Sequence, residues 1–252
     1  MTAGIDVRRE GPVLIAAFAR PEKKNAITGA MYEALIEAFD AAERDADIGA
    51  LVLAGQGGVF TAGNDIADFL AVASGGGRFD AFPASRFIAR LAEFAKPLVA
   101  AVDGLAVGVG TTLCFHCDLV YAAPSARFAM PFVNLGLVPE AGSSLLAPLR
   151  FGRAKAAELL LLAEPFDAEA ARELGFVNAV VPAEALLAHA TGKAAALAAK
   201  PRAALLATRR LLNGDLEPLK ARMAEEGKAF GAALASPEAR AAFLAFMAGG
   251  KK

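Results

Sequence analysis

Apolar positions along the chain follow two rhythms. Short unbroken runs occur at Val13-Leu14-Ile15-Ala16-Ala17-Phe18, Ala50-Leu51-Val52-Leu53-Ala54, Pro97-Leu98-Val99-Ala100-Ala101-Val102 and Leu119-Val120-Tyr121-Ala122. Their lack of alternation predicts strands covered on both faces. The other rhythm has three-to-four spacing: after Thr28, a good N-cap, come Met31, Leu35 and Phe39, with Tyr32 and Ile36 beside them. That is one apolar helix face. Strands separated by helical patterns predict crossover units and a largely parallel inner sheet. Beyond about Gly152 the strand signal nearly vanishes. Asp167 is placed to cap a helix that Gly175 stops, and after Val181-Pro182 the chain is rich in Ala, Leu, Arg and Lys, with Pro201 and Pro237 each suited to opening a helix. Such a C-terminal helical layer packs on its own core or on a neighbouring subunit. Ser74-Gly75-Gly76-Gly77 reads as a flexible loop.

Composition narrows the classes. The 252 residues are 56% apolar and 21% charged, which excludes a disordered chain. Lys+Arg 26 against Asp+Glu 27 leaves a net charge of −1, so binding nucleic acid by phosphate neutralisation is not expected. The most membrane-like stretch, Pro97 to Phe115, is broken by Asp103, Gly104, Gly108, Gly110, Thr111 and Thr112, and no basic, apolar leader opens the sequence; a cytoplasmic protein without membrane contact is expected. Cys114 and Cys117 form a lone C-x-x-C with only His116 and His189 as further soft ligands, so buried thiols are expected and no metal.

Several familiar chemistries lack their residues. Gly108-Val109-Gly110 has no third glycine at dinucleotide-binding spacing, no phosphate-binding G-x-x-x-x-G-K-[ST] loop occurs, and Ser143 and Ser144 sit in no nucleophile elbow. Three segments do look like site chemistry. Gly57 to Ile66 is rich in small residues that let a ligand approach the backbone, and Asp65 can start the following helix. Asp103 to Thr112 joins a buried strand to a helix, placing amides near Val109 where an oxyanion can be held. Pro131 to Ser144 carries one carboxylate, Glu140, among apolar and small residues. Each alone also fits an ordinary turn, a tight connection or a solvated charge; together they point to a site.

At these residues the chain resembles the crotonase, or enoyl-CoA hydratase/isomerase, superfamily nearly end to end. Arg20-Pro21 with Asn25-Ala26 is similar to its early R-P…N-A motif, and Phe60-Thr61-Ala62-Gly63-Asn64-Asp65-Ile66 to F-[ST]-x-G-x-D-[IL]. Lys96-Pro97 through Gly104, the glycine turn and Cys117-Asp118 resemble the central strand and helix; Gly175-Phe176-Val177-Asn178 and Val180-Val181-Pro182 resemble G-L-V-[ND]…V-V-P. The resemblance implies an α/β fold, a crotonase-like ββα spiral core over residues 1–195, and a C-terminal helical trimerisation region over 196–252, assembled as a homotrimer or dimer of trimers. It implies an acyl-CoA thioester substrate, as in fatty-acid β-oxidation, and no cofactor beyond the CoA moiety. By position, the amides of Asn64 and Val109 would hold the thioester oxygen, and CoA would lie near Lys23, Lys24, Ala26, Ala62, Gly63, Asp65 and Ile66.

The chain departs from the hydratases. Their two glutamates fall at Thr112 and Phe132, neither of which can act as a carboxylate base near neutral pH. Instead Pro139-Glu140-Ala141-Gly142-Ser143-Ser144 resembles the P-E-G-x-S-S segment of the peroxisomal-type Δ3,Δ2-enoyl-CoA isomerases, as do Gly63-Asn64-Asp65 and Ala106-Val107-Gly108. One carboxylate suits a double-bond shift, since it can take a proton from C2 and return it at C4. Glu140 is therefore expected to be the catalytic shuttle, with Phe132 as pocket wall or plain core. Alternatives are an enoyl-CoA hydratase, other acyl-CoA chemistry such as thioester hydrolysis or dehalogenation (the latter disfavoured by the absence of Trp), and a non-catalytic acyl-CoA- or RNA-binding relative.

Overall fold

The computed structural model describes residues 3–68 and 82–249. The expected glycine loop at 74–77 lies outside the described residues, as does most of the segment leading to the second helix.

In chain order the elements are β1 (Ile5–Glu10), β2 (Val13–Phe18), α1 (Gly29–Arg44), β3 (Ala50–Gly55), α2 (Pro83–Glu93), β4 (Leu98–Val102), β5 (Leu105–Val107), α3 (Val109–Thr112, continued by a 3-10 turn to His116), β6 (Leu119–Ala122), β7 (Arg127–Ala129), α4 (Ser143–Phe151), α5 (Arg153–Ala157), β8 (Phe166–Asp167), α6 (Ala168–Glu173), β9 (Ala179–Val180), α7 (Ala183–Ala198), α8 (Arg202–Asn213), α9 (Glu217–Leu234) and α10 (Pro237–Gly249). The main sheet has the order β1-β2-β3-β4-β6-β9, parallel throughout except for β1, which pairs antiparallel with β2. A smaller sheet, β5-β7-β8, carries the site connections.

The four apolar runs all became strands of the main sheet. Their alternate residues divide between two cores: Leu14, Ala16, Phe18, Leu51, Leu53, Leu98 and Ala100 face one, while Val13, Ile15, Val52, Val99 and Ala101 face the other. The second face is closed by Leu186, Ala190 and Ala194 of α7, a helix that runs through residue 195. Thr28 caps α1 by accepting from Met31 N–H, and Asp167 caps α6 by accepting from Ala170 N–H. Pro201 stands just outside α8 rather than as its first residue, and Pro237 opens α10. Cys114 and Cys117 are buried free thiols, and among the described residues no group of three or more His, Cys, Asp or Glu is placed to hold a metal ion. Among the described residues no helix is long and apolar enough to cross a membrane.

Sequence reasoning missed β1, β5, β7, β8 and β9. β1 is an edge strand whose Arg8, Arg9 and Glu10 mask its pattern, charges that also discourage edge-to-edge pairing. The others have two or three residues, too few for a period to register.

Candidate active site

The two glycine-rich connections are knitted together before any side chain of the site is placed. Thr61 N–H donates to Leu105 O at 2.8 Å and Val107 N–H to Thr61 O at 3.1 Å, so the chain past β3 runs alongside β5. Gly63 adopts φ +88°, and a Cβ there would lie 2.7 Å from Val107 O; at Gly110 it would lie 2.6 Å from the Thr61 side chain. The approach is closer than any side chain permits, which is why both positions are glycine.

Asn25 locks the first connection from below. Fully buried, it accepts from Arg20 N–H at 2.8 Å and donates to Gln56 O at 3.0 Å and Val59 O at 2.6 Å. This explains the R-P…N-A motif: the amide supplies partners to three backbone groups. Asn25→Ala is expected to cost about 2–4 kcal/mol in chemical denaturation, because those groups stay buried without partners.

At the top of this scaffold the N–H groups of Asn64 and Val109 make no hydrogen bond among the described residues. Val109 is the first residue of α3, where no intrahelical acceptor exists. One turn on, Thr112 donates its hydroxyl to Glu140 Oε1 at 2.5 Å. Glu140 is 5% exposed, and its Oε2 is buried with no hydrogen-bond partner among the described residues. Burial pushes the Glu140 carboxyl up to about 8; the Thr112 hydrogen bond opposes this, and the charge of Glu226 reinforces it. On the α1 side Tyr32 donates to Asn64 Oδ1 at 2.5 Å, and its hydroxyl is held well above its ordinary value by burial and then by the Glu140 charge.

Glu140 opens onto a largely apolar cleft of about 620 Å³ between α2 and α9, lined by Ile88, Ala89 and Ala92 on one side and Met223, Ala224 and Gly227 on the other. Phe132 is 5% exposed within the main core and is not among the cleft's lining residues, which favours its reading as plain core.

The other candidate residues gather along one rim. Lys23 and Lys24 are exposed; Ala62 N–H donates to Lys24 O at 2.9 Å, and Ile27 N–H to Gly63 O at 2.8 Å, so Lys24, Ala26, Ala62 and Gly63 adjoin. Ile66 and Asp65 are half-buried beside them. The Asp65 carboxylate is committed: Oδ2 pairs with Arg20 at 2.6 Å and Oδ1 accepts from Ala67 N–H at 3.0 Å. Its hydrogen bonds and ion pair with Arg20, against the opposing effect of burial, hold it below the usual carboxylate range. Ligand contacts at this position would fall to the backbone.

Three residues were not legible as site residues in the sequence. Thr112 stands where the resemblance puts a glutamate of the hydratases, yet its hydroxyl holds one oxygen of the Glu140 carboxylate. Tyr32 read as part of a helix face. Glu226 lies 84 residues beyond Gly142, whose N–H it accepts, in a charge-rich helix with no motif around it.

Residues 8–251 match the family described as Enoyl-CoA hydratase/isomerase. The chain is 42% identical over 183 residues to rat "Enoyl-CoA delta isomerase 2", covering 71% of this chain but only 46% of that longer protein. It is 32% identical over 242 residues to the Escherichia coli K12 "2,3-dehydroadipyl-CoA hydratase", covering 96% of this chain and 94% of the relative. Among solved structures, Pseudomonas aeruginosa OdaA superposes with a TM-score of 0.93 at 43% identity, over 98% of this chain and 99% of that one. With its crotonase-like α/β fold and this sequence match, the chain belongs to the enoyl-CoA hydratase/isomerase family.

Proposed function

We propose that the protein is a Δ3,Δ2-enoyl-CoA isomerase. One observation carries the reading: among the described residues Glu140 alone presents a buried carboxylate oxygen, Oε2, without a partner, while Thr112 holds the other oxygen. Oε2 takes the proton from C2 of a 3-enoyl thioester. The C–H electron pair becomes the C1–C2 double bond of a dienolate whose negative oxygen lies between Asn64 N–H and Val109 N–H. When the carbonyl re-forms, the double bond settles between C2 and C3, and C4 takes the proton back from Oε2. No water enters the balance, and the apolar cleft keeps it away. CoA would rest along the rim from Lys23 and Lys24 through Ala26 to Ala62, Gly63, Asp65 and Ile66, and no further cofactor takes part. The rat isomerase supports the reading by likeness. Hydration wants a second carboxylate to hold water; the neighbouring one, Glu226, has both oxygens occupied by backbone amides. Assembly as a trimer or paired trimers through residues 196–252 belongs to the same proposal. It would cover Leu149, Leu211 and Leu212, each at least 74% exposed.

The test offers a 3-enoyl-CoA and a 2-enoyl-CoA separately. The expected result is conversion of the first to the conjugated thioester, followed by its absorbance, at a rate well above hydration of the second. Faster hydration than isomerisation overturns the proposal. Because Glu140 must be ionised to act as base, kcat/KM should rise about tenfold per pH unit to a midpoint near the raised value of about 8, then level. Thr112→Val removes the hydrogen bond that favours the ionised form, so its midpoint should lie higher than in the unsubstituted enzyme.

A further inference from the structure

We infer that Glu226 is a positioning residue, clamping the Glu140 turn to α9 and so fixing Glu140 at the edge of the cleft it lines. The inference rests on the proton-shuttle reading of Glu140. Directly after that residue the backbone turns through two left-handed positions, Ala141 at φ +57° and Gly142 at φ +70°. The first is unfavourable for an L side chain and persists only where its surroundings hold it.

Those surroundings come from two sides. From the 3-10 turn after α3, His116 Nε2–H donates to Ala141 O at 2.8 Å, the only polarity a carbonyl allows. From α9, Glu226 Oε2 accepts from Gly142 N–H at 2.6 Å and Oε1 from Ser144 N–H at 2.9 Å. Leu219, Arg222, Met223 and Glu226 share one face of α9 by their spacing. Leu219 and Met223 approach Gly142 so closely that a Cβ there would lie 2.3 Å from Leu219 Cδ1, and Arg222 donates to Ser144 Oγ at 3.3 Å. Glu226 is 6% exposed and lines the same cleft as Glu140.

Capping the start of α4 would need only a neutral acceptor. A full charge buried beside the base does more, since it favours the protonated form of Glu140. Among the described residues the polar and charged groups around Glu140 are Tyr32 from α1, Thr112 and His116 from α3 and its continuation, Ser143 from α4 and Glu226 from α9, with Ser85, the Glu93–Lys220 pair and Lys228 also lining the cleft. Glu226 itself shuttles no proton, because both of its oxygens are engaged.

The experiment measures kcat, KM and the pH profile for 3-enoyl-CoA isomerisation by Glu226→Gln and Glu226→Asp. Glu226→Gln puts an NH2 against one of the two amides and removes the charge. Its kcat should fall at least about tenfold with KM little changed, and its acidic midpoint should move to lower pH. Glu226→Asp keeps the charge but withdraws it by one methylene, so kcat should fall while the midpoint stays near that of the unsubstituted enzyme. A Glu226→Gln enzyme that only melts earlier, with kcat and midpoint unmoved, overturns the inference. If that variant does not fold, unchanged kcat in Glu226→Asp overturns it. Failure of the underlying shuttle reading would show instead as retained activity in Glu140→Gln.

Discussion

Glu140→Gln is expected to lower kcat for 3-enoyl-CoA isomerisation by roughly 10²–10⁴-fold, the usual contribution of a positioned general base. The substitution is nearly isosteric, and its amide can still meet the Thr112 hydroxyl, so the Asn64 and Val109 amides and the cleft stay in place. Acyl-CoA binding should therefore persist within a few-fold, measured by titration calorimetry beside the turnover assay. Retention of more than a tenth of the activity would remove Glu140 from the mechanism. The same variant should be more stable than the unsubstituted protein in alkaline solution. Glu140 has a folded-state value of about 8, above its unfolded one, so its contribution is fully present below the ordinary carboxylate range and is lost as pH rises through about 8. Above that, folding must bury a charged carboxylate, at up to about 5 kcal/mol on the conversion of that displacement. Denaturant midpoints of the two proteins should converge near pH 5 and separate by pH 9. On the proposed mechanism the instability is a property of the catalytic group itself, since the buried, unpartnered oxygen that weakens the fold is the one assigned to the proton transfer.

What the sequence disclosed follows from how far each interaction reaches along the chain. The buried strands were legible because β2, β3 and β4 carry continuous apolar runs, and the caps at Thr28 and Asp167 because a cap acts within three residues. Gly63, Asn64, Val109 and Glu140 could be nominated from family motifs. The physical reason for the glycines, contact between the Thr61 and Val107 backbones, is a meeting of segments 46 residues apart that no local pattern records. Glu226 and Thr112 mark the limit. Their importance lies in which amide or carboxylate the fold brings to them, and a buried Glu on α9 has the same local signature as the exposed Glu225 beside it. Asp65 shows the converse: its motif position suggested ligand contact, while the ion pair with Arg20 assigns its carboxylate to holding the loop.

Gly63→Ala should reduce kcat by roughly 10²–10³-fold, comparable to removing an oxyanion-hole donor, although it deletes no polar group. The residue sits at φ +88°, where an L side chain is strained, and its new Cβ would press on Val107 O at 2.7 Å. Neither contact can relax without consequence. Gly63 precedes Asn64, and Val107 lies two residues before Val109, so a shift of a few tenths of an ångström would spread both amides away from the place proposed for the dienolate oxygen. Binding of the ground-state thioester, spread over the whole CoA moiety, should suffer far less than the transition state, so the loss should appear in kcat rather than KM. Gly58→Ala separates strain from geometry. Gly58 also has positive φ, at +70°, but a Cβ there meets nothing nearer than Asp103 Oδ2 at 3.9 Å. That variant should lose stability while keeping kcat within a few-fold. If both alanine variants lose turnover equally, general loop strain explains the effect, and the paired amides of Asn64 and Val109 are not the oxyanion site.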